Sequence, residues 1–250
     1  MNDMEFEVII QLPSALYLGA RKEECSMIID LKGRKAVVTG STAGIGRAIA
    51  EGLARAGAAV VINGRSEERV AVALAELRAL IPAADIKGFA ADLATAEGAD
   101  DFASRAGDVD ILINNVGTAK PKPFLALVDS DWRDLFELNV MSGVRMTRHQ
   151  LPAMTKRGWG RVIFVSSESA LAIPVDMIDY AMTKTAQLAI SRGVAESVAG
   201  TGVTVNAVLP GPTNSEIMSN WMIATAASEG ITQDEAEQKF LETMRPTSLL

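Results

Sequence analysis

The 250-residue chain has one cysteine, Cys25, and one histidine, His149. A lone thiol forms no intrachain disulfide and no cysteine-based zinc cluster, so no metal site is expected. A lone imidazole excludes a multi-histidine site, and any Ser-His-Asp triad would have to use His149. Both scarcities suit the reducing cytoplasm, which is the expected location. No apolar run reaches the length of about 18 residues that a membrane span needs. The opening, MNDMEFEVII, is acidic where a secretory signal would be basic. Bases are also in short supply: 24 Lys and Arg stand against 31 Asp and Glu, a formal net charge of −7. A broad face for nucleic acid phosphates is therefore not expected. With 48% hydrophobic and 22% charged residues, the chain is an ordinary globular one, of a length for about one large domain.

What is present alternates. Short β-branched runs at 35–39, 58–62, 86–90, 109–114, 161–166 and 203–208 are separated by Ala-rich stretches of helical composition. Helices are expected at 45–56, 66–80, 97–106, 131–157 and 179–199. The strands are nearly all apolar, as when both faces of a sheet are covered. Crossovers of this length imply a parallel sheet. The expected fold is α/β, a single doubly wound parallel sheet of Rossmann type with an N-terminal appendage.

The segment Thr39-Gly40-Ser41-Thr42-Ala43-Gly44-Ile45-Gly46 follows the first strand and opens the first helix. Gly40 suits a tight turn, Gly44 lets backbone approach a pyrophosphate, and Gly46 allows close helix packing. The helix N-terminus offers free N–H groups to an anion. A plain strand-to-helix turn is the competing reading. The second strand ends Asn63-Gly64-Arg65-Ser66, with no carboxylate at its tip. A carboxylate there would hold a ribose 2′-hydroxyl, whereas Arg suits a 2′-phosphate. NADP (NADPH) is therefore expected over NAD, with Arg65 on the phosphate and Ser66 as helper. Asp92-Leu93 and Asn114-Asn115-Val116-Gly117 end the third and fourth strands, where open sheets bind ligands. Turn chemistry alone also explains them.

Tyr180 and Lys184 are four residues apart in a predicted helix, on one face. A neighbouring ammonium favours phenolate, so Tyr180 is a candidate acid/base. Ser167 ends the fifth strand, thirteen residues earlier, and can donate to a substrate oxygen or cap a turn. Asn139 is a polar residue in an apolar helical stretch and calls for a specific partner.

In this order and spacing, with Pro210-Gly211-Pro212-Thr213 after the sixth strand, the chain resembles the short-chain dehydrogenase/reductase family over residues 30 to 245. Val116 stands where the family usually has Ala. The resemblance implies an NADP(H)-dependent oxidoreductase that interconverts a carbonyl and a secondary alcohol. It implies a tetrad: Tyr180 as proton donor or acceptor, Lys184 lowering its pKa and holding the nicotinamide ribose, Ser167 polarising the substrate carbonyl, and Asn139 holding a water that links Lys184 to solvent. The cofactor site would comprise Gly40, Ser41, Thr42, Gly44, Ile45, Gly46, Arg65, Asp92, Leu93, Asn114, Gly117, Tyr180, Lys184, Pro210, Gly211 and Thr213. Asp92 would meet adenine and Thr213 the carboxamide. Partners would be a small carbonyl or alcohol substrate and a second copy, in a dimer through helices 131–157 and 179–199.

Two departures set further expectations. Residues 1–26 read as an extension before a domain at 27–250, with EFEVIIQL (5–12) of strand character. The lid lies at about 213–245, with helices at 215–227 and 232–244 and Met218, Trp221 and Met222 as pocket candidates. The family's last helix and strand are expected to be missing, which makes 203–208 a sheet edge for segment 5–12 or a partner to cover. A catalytically impaired nucleotide-binding or oligomerisation partner is the alternative function. His149 is read as a surface or helix-end group, and Glu168 as a solvated loop charge or a group facing the substrate mouth.

Overall fold

A computed structural model describes residues 29–213 and 216–244. Six strands alternate with helices: β1 (Lys35–Val38), α1 (Gly44–Arg55), β2 (Ala59–Gly64), α2 (Glu67–Leu80), β3 (Ile86–Ala90), α3 (Ala96–Ala106) and β4 (Ile111–Asn114). Then follow α4 (Asp129–Phe136), α5 (Ser142–Arg157), β5 (Gly160–Val165), α6 (Ile178–Ser197), β6 (Val203–Val208), α7 (Glu216–Glu229) and α8 (Gln233–Met244). All neighbours pair in parallel, in the order β3-β2-β1-β4-β5-β6. The order reverses between β1 and β4, which opens a crevice at their carboxyl ends.

Both sheet faces are covered, which is why the strands are apolar without alternation. Val37, Val61, Leu112, Phe102, Met146 and Phe164 share the core on one side. Ala36, Val38, Val60, Ile62, Leu77 and Ile111 share the other. Helix α2 starts where the sequence places it: Ser66 Oγ accepts from the Arg69 amide at 3.4 Å, with Glu67 and Glu68 in the first turn.

Three elements differ from expectation. The long helix over 131–157 is broken: α4 and α5 are joined by a π-helical turn, Glu137–Met141, that contains Asn139. Strand β2 runs through Asn63 and Gly64 instead of stopping before them, because Phe89 and Ala90 of β3 pair with them. The Asn63 carboxamide is absorbed there, donating to the Ala91 carbonyl at 3.2 Å. Strand β4 starts at Ile111, and the Val109 amide donates to Gln150 Oε1 at 3.1 Å instead.

β6 is the edge of the described sheet and pairs with β5 alone. Segment 5–12 and Cys25 lie outside the described residues. Helices α7 and α8 pack on each other through Trp221 and Phe240, edge to face at 5.3 Å. Met222 is buried there, and Trp221 is partly exposed. Among the described residues no helix is long and apolar enough to cross a membrane.

Candidate active site

The loop between β1 and α1 is held from two sides. Gly40 has a φ of +60°, open to glycine and strained for other residues. The Asn115 carboxamide donates to the Thr39 carbonyl at 3.0 Å and to the Gly40 carbonyl at 2.9 Å. Thr39 Oγ1 accepts from the amides of Asn115 (2.9 Å) and Val116 (3.1 Å). Gly46 packs into this knot, and a Cβ on it would overlap Asn115 Nδ2 and the Gly40 carbonyl. On the other side Ser41 Oγ donates to the Val38 carbonyl at 2.6 Å and accepts from the Asn63 amide at 3.0 Å. The Gly40 amide donates to Asn63 Oδ1 at 3.2 Å.

Helix α1 begins just past this loop. Its first turn has no acidic residue, and its N-cap, Ala43, supplies no side-chain cap. The leading amides and the helix dipole therefore face the crevice without a competing anion, which fits a bound pyrophosphate. Arg65 is exposed just beyond β2 and has no hydrogen bond or ion pair among the described residues. Thr42 lies over the same strand end, and a Cβ on Gly64 would come within 2.5 Å of its methyl. These features fit a nicotinamide dinucleotide with a 2′-phosphate.

Several expected site residues commit their side chains to the core or to the loop itself. Ser41 is fully buried, with its hydroxyl used inside the loop. The Leu93 side chain is buried in the core. Asn114 turns under the sheet, donating to Thr147 Oγ1 on α5 at 3.0 Å. Ile45 packs against the core. Asp92 is exposed and caps its own turn, accepting from the Ala94 amide at 3.1 Å. The loop tie that the sequence candidates omitted is Asn115. Its signal was present in the Asn-Asn pair, but only the fold shows which of the two faces the loop.

The second cluster lies at the carboxyl end of β5. Ser167 Oγ accepts from the Ser169 amide at 3.1 Å, which leaves its proton free to donate, and the hydroxyl works to lower the pKa of the neighbouring Tyr180 phenol. Burial pushes the Tyr180 phenol above its usual value, and the neighbouring Ser167 hydroxyl opposes this. That differs from the depressed phenol expected from the Lys184 neighbour alone: desolvation of the ring dominates. Lys184 is buried, and burial lowers its ammonium to about 8. Its Nζ donates to the Val165 carbonyl at 2.9 Å and stands 5.5 Å from the Tyr180 ring centre. Ser166 Oγ donates to the Lys184 carbonyl at 2.9 Å, clamping α6 to the end of β5.

Asn139 is fully buried in the π turn. Its side chain accepts from the Thr118 amide and donates to the Thr118 carbonyl, both at 2.9 Å, and donates to Thr183 Oγ1 at 3.1 Å. Gly117 closes the cluster: a Cβ on it would lie 3.3 Å from both Asn139 Oδ1 and Lys184 Nζ. Glu168 is half-buried, its amide donating to the Pro210 carbonyl at 3.0 Å. Its carboxylate lies beside Gly211, at 3.2 Å from where a Cβ would be. Thr213 is exposed, with its hydroxyl donating to the Gly211 carbonyl at 3.1 Å. His149 is remote, bonded to Asp100 at 2.7 Å.

The comparisons with known proteins agree with this geometry. The family model for short chain dehydrogenase matches residues 34–233. The oxidoreductase YvaG of Bacillus subtilis is 45% identical over 224 residues, 90% of this chain and 85% of that protein. The 3-oxoacyl-[acyl-carrier-protein] reductase FabG of Aquifex aeolicus is 36% identical over 189 residues, covering 74% and 76%. Among solved structures, L-sorbose reductase from Gluconobacter frateurii, complexed with NADPH and L-sorbose, superposes with a TM-score of 0.81 at 31% identity, covering 86% of this chain and 83% of that one. The chain belongs to the short-chain dehydrogenase/reductase family and is an oxidoreductase of that class.

Proposed function

We propose that the protein interconverts a carbonyl and a secondary alcohol with NADP(H), using Tyr180 as the acid/base. The observation that carries the reading is the Ser167 hydroxyl beside the Tyr180 phenol, with the buried Lys184 ammonium one helical turn away and 5.5 Å from the phenol ring centre. The bound cofactor supplies or accepts the hydride; the protein supplies position and proton control. Ser167 donates to the substrate oxygen and orients it toward Tyr180. Tyr180 gives its phenolic proton to that oxygen in reduction and takes it back in oxidation. Lys184, charged below about pH 8, stabilises the phenolate left behind. Kept next to Lys184 by its bonds to Thr118 and Thr183, Asn139 stiffens this side of the cleft. Arg65, exposed and without a protein partner among the described residues, selects the 2′-phosphate.

The NADPH-bound sorbose reductase supports the choice of cofactor. The assembled tetrad argues against an impaired nucleotide-binding partner. The same reading includes a domain at 27–250 and a dimer through α4–α5 and α6, which light scattering at micromolar concentration checks. The functional test is a titration with NADPH and NADH, followed by turnover on a panel of ketoses, 3-oxoacyl thioesters and simple ketones. NADPH-selective binding with turnover is expected. Cofactor binding without turnover on the panel would give the non-catalytic reading.

A further inference from the structure

Gln187 lies on α6, three residues beyond Lys184, and has no place in the roles above. Its side chain is 1% exposed. Its Nε2 donates to the main-chain carbonyl of Asn139 at 2.6 Å, and its Oε1 accepts from Lys184 Nζ at 3.4 Å. One carboxamide thus spans the π turn and the ammonium. A buried amide costs free energy unless both of its ends are satisfied. Here one end meets a carbonyl and the other a cation.

We infer that Gln187 is a positioning residue of the reaction centre, bridging the Asn139 carbonyl and Lys184 so that the π turn and the ammonium keep one arrangement. The inference rests on the proposed roles of Tyr180 and Lys184. It adds a protein-borne connection between Asn139 and Lys184 to the water-held link that the family resemblance implies. A neutral amide suits the task. It orients the ammonium without cancelling its charge, so the field at Tyr180 is kept. A carboxylate in its place would pair the charge, and an alkyl group would leave the ammonium one acceptor short. Lys184 meets the Val165 carbonyl from β5, Gly117 from the β4 loop, and Tyr180 and Gln187 from its own helix. Of these neighbours only Tyr180 titrates.

The test uses the full chain with Gln187→Leu and Gln187→Glu. The Lys184 side chain is titrated by lysine-selective NMR, its signal assigned by its loss in Lys184→Met. Gln187→Glu is expected to raise the Lys184 pKa by about one to three units. It should move the alkaline limb of the kcat/KM profile upward with it. Gln187→Leu is expected to lower kcat about ten- to a hundredfold, with the NADPH Kd little changed. A purely structural Gln187 would give a lower thermal midpoint in the Leu variant, normal kcat, and an unmoved Lys184 titration in the Glu variant; that result overturns the inference. Should the Leu variant fail to fold, the near-isosteric Glu variant decides through its titration alone. If the wild type binds no cofactor and turns nothing over, the functional reading fails, and the NMR titration still decides whether Gln187 engages Lys184.

Discussion

The two halves of the crevice are built on opposite principles. At the nucleotide end the work is done by missing side chains. Gly40 takes a positive φ, Gly46 packs where no Cβ fits, α1 presents bare amides, and neutral groups (Asn63, Asn115, Ser41, Thr39) knot the loop to the sheet. At the chemical end the work is done by a charge placed where charge is costly. Lys184 is buried among carbonyl and amide oxygens beside a half-buried phenol. The first half tolerates no added atom, and the second tolerates no change in charge. Binding and chemistry should therefore separate cleanly under mutation.

The largest effect expected is from Tyr180→Phe. It should cut kcat by about a thousandfold or more, within the range for a positioned acid/base, and leave the NADPH Kd almost unchanged. Near-normal turnover would remove Tyr180 from the mechanism and merge the two halves. Next is Arg65→Ala, expected to weaken NADPH by about ten- to a hundredfold and NADH hardly at all, since one charge-assisted contact is worth roughly 1.5–3 kcal/mol. Equal losses for both nucleotides would defeat the 2′-phosphate assignment. Asn115→Ala strips two donors from the carbonyls of Thr39 and Gly40. A loss of about 2 kcal/mol in unfolding free energy is expected, with kcat for saturated enzyme nearly kept.

The smallest effect has the opposite sign. In the free energy of unfolding at pH 7, Lys184→Met should gain about 1–2 kcal/mol. Lowering the ammonium from 10.5 to about 8 corresponds to a penalty of about 3 kcal/mol, offset in part by the bond to the Val165 carbonyl. Between those two values the unfolded chain holds the proton and the native chain does not, so wild-type stability rises with pH there. The advantage of the Met variant should shrink from pH 8 to 10.5 in denaturant melts. A constant gap would mean that Lys184 is not the buried charge that distinguishes the halves.

The nucleotide half was the more legible in sequence. A strand, a glycine-spaced loop and a helix are contiguous, and their meaning lies in local spacing. Even so, the side-chain ties were not readable: Ser41 meets Asn63 across 22 residues, and Asn115 meets Gly40 across 75. Tyr180 and Lys184 were legible as a helical pair, and Ser167 as a strand end. The π turn was not, since its apolar pattern matches a continuous helix, and Pro152 further along α5 did not mark the break. Gln187 carried no signal, because its partner is a main-chain carbonyl 48 residues away. The raised Tyr180 pKa was also hidden, as burial is a property of the packed chain.

The π turn at Glu137–Met141 also sets a phase. Such a turn holds one residue more than the α-helical turn it replaces, which rotates the segments on either side by about 100° relative to an unbroken helix. That offset lets α4 lie against α6 while α5, continuing the same rod, lies against α3, β4 and β5. Deleting a single residue from 137–141 would remove the offset and roll one segment off its neighbour. Chain length at this point thus acts as a directional code, and Asn139 sits at the joint where the direction changes.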